Sequence, residues 1–143
     1  MRELLPRHGM TLVDAAAPRS VDVGSAARSL IDKVDVFYTS TDNNVVSAYE
    51  ALVKVGMDAK IPLVAADVDS VARGAVAAYG MDYRGLGVQT GKIVARILNG
   101  EKPGDIASET STKLELHVNP EAARRQGITL SDELVQSAAK VIQ

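Results

Sequence analysis

The sequence has no cysteine and no tryptophan, a single Phe, and 3% aromatic residues in all. Without Cys there is no disulfide, no thiol nucleophile and no Cys-ligated zinc site. With so few rings the core has to be assembled from Ala, Val, Leu and Ile, a composition suited to parallel strands covered by helices. An excess of positive charge is missing too. Sixteen Lys and Arg stand against eighteen Asp and Glu, a net charge of −2, and no basic run concentrates them, which argues against nucleic acid or an anionic membrane surface as the main partner. The start, Met1-Arg2-Glu3-Leu4-Leu5-Pro6-Arg7, lacks the apolar stretch and cleavage site of a secretory signal. Two readings follow from that: a cytoplasmic protein, or a piece of a longer exported one. What is present is 143 residues, 46% hydrophobic and 24% charged, with mean hydropathy near zero. This is enough for one ordinary globular domain, since a chain of about 150 residues buries roughly 70% of its unfolded surface.

Short β-branched runs alternate with longer stretches of helical period. Strands are predicted at Thr11–Ala16, Val34–Tyr38, Ile61–Ala66, Gly74–Tyr79 and Leu114–Val118. After Pro18, Val23, Ala26, Ala27, Leu30 and Ile31 share one helix face. A second helix, with Asn43 or Asn44 as its cap, carries the stripe Val45, Val46, Tyr49, Leu52, Val53, Gly56 and Met57. Ser70–Arg73 reads as a single turn, and Tyr83–Asn99 as a helix stopped by Gly100 and Pro103. Gly104–Lys113 is polar and reads as a surface linker. Asn119–Gly127 has a cap residue, Pro at the first helical position and a terminal Gly. A last helix opens at Ser131-Asp132-Glu133 and runs through Leu134, Ala138, Val141 and Ile142. The alternation predicts an α/β fold, a mainly parallel sheet with helices on both faces, as a single domain over residues 1–143.

In such sheets ligands bind at the carboxyl ends of the strands. Three of the loops leaving them are polar: Thr39-Ser40-Thr41-Asp42-Asn43, Asp67-Val68-Asp69-Ser70 and Asp82-Tyr83. They suggest a rim where carboxylates meet a ligand ammonium and hydroxyls or amides hold its other polar groups. The same residue types also serve simply as caps and turn formers. Gly85-Leu86-Gly87-Val88-Gln89-Thr90-Gly91 misses the spacing of a dinucleotide loop and reads as helix packing. His8 and His117 have no ligand-spaced partner, Ser40 and Ser70 lack a nucleophile elbow, and no metal or cofactor is implied. Asp42 with Asp67 is the one pair to consider for Mg²⁺ and phosphoryl transfer.

From Val34-Asp35-Val36-Phe37-Tyr38-Thr39-Ser40-Thr41-Asp42-Asn43 onward the chain resembles the ABC-transporter substrate-binding proteins of the tryptophan and tyrosine uptake type, a branch of the type I periplasmic binding proteins. The resemblance continues through Ala59–Asp67, Arg73–Ala77, Asp82-Tyr83 with Leu86-Gly87, Ile97–Pro103, Leu116–Asn119, Ala122-Ala123 and Gly127–Leu130, covering about Leu12 to Leu134. It implies two lobes closing on a small amino-acid-like ligand, of which this chain holds the second, carboxyl-terminal one. In the family the Tyr83–Asn99 helix packs on the first lobe. The ligand-binding residues implied are Thr39, Thr41, Asp42, Asn43, Asp67 and Asp82, with Asp67 at the place of an acid for the ligand ammonium. The resemblance further implies a non-enzymatic protein, an ABC permease as partner of the full-length form, and a periplasmic or extracellular lipoprotein. Self-association of the lone lobe through the uncovered helix is expected. A free-standing α/β domain, ligand-sensing or acting on a phosphorylated substrate, is the alternative.

Overall fold

In the computed structural model, which describes residues 1–111 and 113–143, four helix starts are closed by an Asp, Asn or Ser side chain, whereas Asp22, before the helix that begins at Val23, makes no such bond. Thr112, in the Gly104–Lys113 linker, lies outside the described residues. Asp42 accepts from the Asn44 and Val45 amides and caps α2 (Asn43–Ser47). The cap is thus Asp42, not Asn43 or Asn44, because its extended backbone aims the carboxylate at the first free amides. A break at Ala48 separates α2 from α3 (Tyr49–Ala59), so the single helix expected there is two. Asp82 caps α4 (Tyr83–Leu98), Asn119 caps α5 (Pro120–Arg125), and Ser131 caps α6 (Asp132–Ser137). A turn at Ser20–Asp22 leads into α1 (Val23–Ser29).

The strands are β1 (Phe37–Thr39), β2 (Leu63–Ala65), β3 (Ala77–Met81), β4 (Leu114–Val118) and β5 (Lys140–Val141), adjacent in chain order within one sheet. All pairings are parallel except β3 with β4. The α/β sheet is therefore as expected, with two corrections at its ends. Thr11–Ala16 forms no strand; its backbone takes part in no ladder, and Val13 is 39% exposed. The tail expected to continue as helix through Val141 instead turns extended at Ala138 and adds β5 beside β4. There Ala139 donates to Leu116 and Ile142 to Val118, at 2.8 Å each. An open strand edge satisfies these backbone groups, and β-branched Val141 and Ile142 suit it. The third strand also begins later than Gly74, whose φ of +116° ends a tight turn after Val71.

The core lies on one face of the sheet. Phe37, Leu63, Ala65 and Ala78 point there, against Val23 and Ala27 of α1 and Tyr49, Leu52, Val53 and Val55 of α3. Coverage is unequal, for Tyr38 and Tyr79 on the alternate positions are 49% and 63% exposed, and no residue of α4 is buried. Gln126 replaces a missing ladder at the foot of β2, its buried amide accepting from Leu63 N at 2.7 Å and donating to Gly74 O at 2.8 Å.

Candidate functional site

Because β1, β2 and β3 are parallel, the loops that follow them leave from one edge of the sheet. Thr39 lies opposite Ala65, and Ala66 N donates to Thr39 O at 2.9 Å, so Thr39 and Asp67 are brought together at the ends of neighbouring strands. The third loop is held close by a glycine. A side chain at Gly80 would put its Cβ 2.3 Å from Ala66 O, so only glycine lets β3 lie this near the β2 exit that leads to Asp67.

The three candidate carboxylates on this rim are in different states. Asp42 is exposed and its Oδ1 is taken by two backbone amides of α2. Asp82 Oδ1 accepts from Gly85 N at 3.0 Å, and its Oδ2 lies 3.3 Å from Lys113 Nζ. The Gly85 amide first, and then the Lys113 ammonium, hold this carboxyl below the usual range against the opposing effect of burial. Gly85 permits the cap, since a Cβ there would come 2.6 Å from Asp82 Oδ2. Asp67 is buried, 9% exposed, and its only side-chain partner among the described residues is the neutral Ser70 hydroxyl, donating to Oδ2 at 2.9 Å. It makes no ion pair among the described residues. No fully buried side-chain oxygen is left without a partner among them, so the second oxygen of Asp67 opens to solvent. Asp42 and Asp67 are engaged separately, with no partner in common, and the described residues contain no cluster of three His, Asp or Glu suited to a metal.

Of the hydroxyl and amide candidates, Thr39 is buried, and its Oγ1 lies 3.4 Å from the Tyr49 hydroxyl. Thr41 and Asn43 are exposed at the start of α2, and no hydrogen bond links them to Asp67. His117 sits apart in β4, its Nε2 3.1 Å from Glu115 Oε2. Sequence reasoning left Tyr49, Ser70 and Arg73 out of the site. Tyr49 is wholly buried beneath it, and burial pushes its phenol up from the ordinary range, offset in part by the Thr39 and Ser70 hydroxyls. Arg73 lies over the Tyr49 ring at 5.4 Å, grips Glu50 through two bonds of 2.8 Å and donates to Val46 O at 2.7 Å, tying α2 and α3 to the turn after Asp67. Tyr83, 44% exposed, follows Asp82 at the start of α4, and its phenol is raised by burial and then by the negative charges of Asp67 and Asp69. The only signal in the sequence for Ser70 is its position three residues after Asp67, a spacing at which side chains in a turn meet.

A largely buried carboxylate whose remaining oxygen opens at the rim can accept a charge-assisted bond from an incoming cation. The rim is thus chemically disposed toward a ligand that carries an ammonium, with an aromatic ring, Tyr83, at its border.

The family model described as ABC transporter substrate binding protein matches residues 1–142. A tyrosine-binding protein of Clostridioides difficile is 32% identical over 124 residues, spanning 87% of this chain and 36% of its own. Among solved structures, a conserved domain protein from Vibrio cholerae superposes with a TM-score of 0.91 at 37% identity, over 99% of this chain and 48% of that one. An ABC domain from Streptococcus pneumoniae in complex with L-Trp superposes with a TM-score of 0.87 at 27% identity, over 96% of this chain and 46% of that one. The chain therefore spans about a third of the first relative and just under half of the two solved chains.

Proposed function

Since this chain belongs to the ABC transporter substrate-binding protein family, we propose that the rim around Asp67 is one wall of a cleft that captures an amino acid with an aromatic side chain, without catalysis, for an ABC permease. The other wall comes from a second lobe outside these 143 residues, and the protein works in the periplasm or at the cell exterior as a lipoprotein. The observation that carries this reading is the contrast among the carboxylates: Asp42 is exposed and caps a helix, Asp82 is held by Gly85 N and Lys113, whereas Asp67 is buried with neither an amide nor an ion pair on it among the described residues. A ligand ammonium supplies the charge-assisted partner that Asp67 lacks. Thr39 is the near hydroxyl, Tyr83 the near ring, and Thr41, Asp42, Asn43 and Asp82 form the outer border. One relative is a tyrosine-binding protein and one solved neighbour is in complex with L-Trp, and that ligand class suits an anionic pocket with a tyrosine beside it. No helix among the described residues is long and apolar enough to cross a membrane.

The exposed α4 face, with Val88, Val94 and Leu98, and the open sheet positions Tyr38 and Tyr79 are apolar surface that the lone lobe covers by pairing with a second copy.

The test is a titration of the 143-residue chain with L-tryptophan, followed by amide chemical shifts. Shifts are expected at Thr39–Asn43, Asp67–Ser70 and Asp82–Tyr83, saturating weakly because only one wall is present, and they disappear in Asp67→Asn. Shifts elsewhere, or unchanged binding in Asp67→Asn, would overturn the reading.

A further inference from the structure

Asp67 departs from what the other extended Asp, Asn and Ser residues at helix starts do. It occupies the residue before the turn Val68–Val71 in an extended conformation, φ −104° and ψ 119°, the position from which Asp42, Asp82, Asn119 and Ser131 all cap the segment that follows. Yet the Asp67 side chain accepts no amide of its own turn. Its Oδ2 is held instead by Ser70 Oγ at 2.9 Å, and Ser70 is itself fully buried. Such a departure from local preference is found where another demand outweighs it. The buried Tyr49 hydroxyl feels the Ser70 hydroxyl and lies 3.4 Å from Thr39 Oγ1. Each hydroxyl has one proton to give and lone pairs to receive. Ser70 spends its proton on the carboxylate, so the bond to Oδ2 has one fixed direction.

We propose that Ser70, backed by Tyr49 and Thr39, is a positioning residue: it draws Asp67 away from the turn amides and fixes Oδ2, so that the free oxygen faces the ammonium of the bound amino acid. This rests on the amino-acid-binding reading given above and deepens it. Without Ser70 the carboxylate is free to rotate onto the amides of its own turn, as Asp42 and Asp82 do, and the ammonium loses its partner while the remainder of the wall stays in place.

The experiment compares two ligands that share ring and carboxylate and differ only in the ammonium, L-tryptophan and indole-3-propanoate, on the 143-residue chain by amide shift titration. The wild-type chain is expected to prefer L-tryptophan. Ser70→Ala should reduce that preference about 10-fold, the worth of one charge-assisted hydrogen bond, with the affinity for indole-3-propanoate unchanged. Tyr49→Phe keeps the ring in the core and should lower the preference in the same direction by a smaller factor, which preserves the test if Ser70→Ala folds poorly. Equal weakening of both ligands marks a merely structural role and overturns the inference, as does an unaltered preference in both variants. Failure of the wild-type chain to prefer L-tryptophan would overturn the amino-acid reading itself, and the inference with it.

Discussion

Replacing Gln126 by Met isolates one side chain's contribution to the alignment of the sheet. Gln126 is 0% exposed; its Oε1 receives the Leu63 amide at 2.7 Å and its Nε2 reaches Gly74 O at 2.8 Å. Gly56 of α3 lies against the amide, since a Cβ there would come 3.4 Å from Oε1, so the pocket has little room for water to take over. Methionine fills about the same volume and offers neither bond. Leu63 is fully buried and its orphaned N–H should cost about 2 kcal/mol, while Gly74 O, half-buried, should cost about 1. The sum, about 3 kcal/mol, is a large part of the ~5–15 kcal/mol that holds a domain together. In urea, with a slope of about 2 kcal/mol per M, the midpoint followed by circular dichroism should fall by about 1.5 M with the slope preserved. Gln143→Met at the exposed carboxyl terminus is the control and should shift nothing. A loss below about 0.5 kcal/mol for Gln126→Met would refute the reasoning, for it would mean that water satisfies Leu63 N or that the amide bonds add nothing beyond packing. Gln126 grips the first residue of β2, and Asp67 follows two residues after its last, so the variant should also weaken the rim's response to L-tryptophan.

The Tyr49 phenol provides a pH test. Burial raises its pKa above the usual phenol value of about 10, so the unfolded chain releases this proton first. The stability it confers is complete below about pH 10 and drains away as pH rises from there toward the raised native value. Thermal melting between pH 8 and 11 should show a steeper alkaline loss in the wild type than in Tyr49→Phe, and parallel curves would count against a buried neutral phenol. The pairing of lone lobes through α4 and the open sheet face should appear in light scattering as a species of twice 15.1 kDa that dissociates on replacing Leu98 and Val94 by Lys; a monomer at all concentrations would refute it.

What could be read from the sequence was local. The helix expected at Tyr83–Asn99 is α4 at Tyr83–Leu98, because its period, its Asp82 cap and its Gly100 stop are all signals carried by near neighbours. The same holds for α5, with Asn119, Pro120 and Gly127 in place. The alternation of elements sufficed for the α/β class, and the polar residues after each strand sufficed to name the edge where Thr39, Asp67 and Asp82 gather, since parallel strands send their exits one way.

Tertiary structure decided whatever depends on a distant partner. Thr11–Ala16 has a strand's composition but no neighbour to pair with, and Val141 has a helix's spacing but sits at the open edge of β4, so the backbone bonds available overrode the pattern in both places. The difference between three similar carboxylates was equally invisible. Asp42, Asp67 and Asp82 each follow a strand and precede a helix or turn, and sequence treats them alike. Only folding showed that two are spent on helix caps while Ser70 holds Asp67 buried and off the amides of its own turn. A side chain's chemistry is written in the sequence, but whether its charge is already satisfied depends on the groups the fold packs around it.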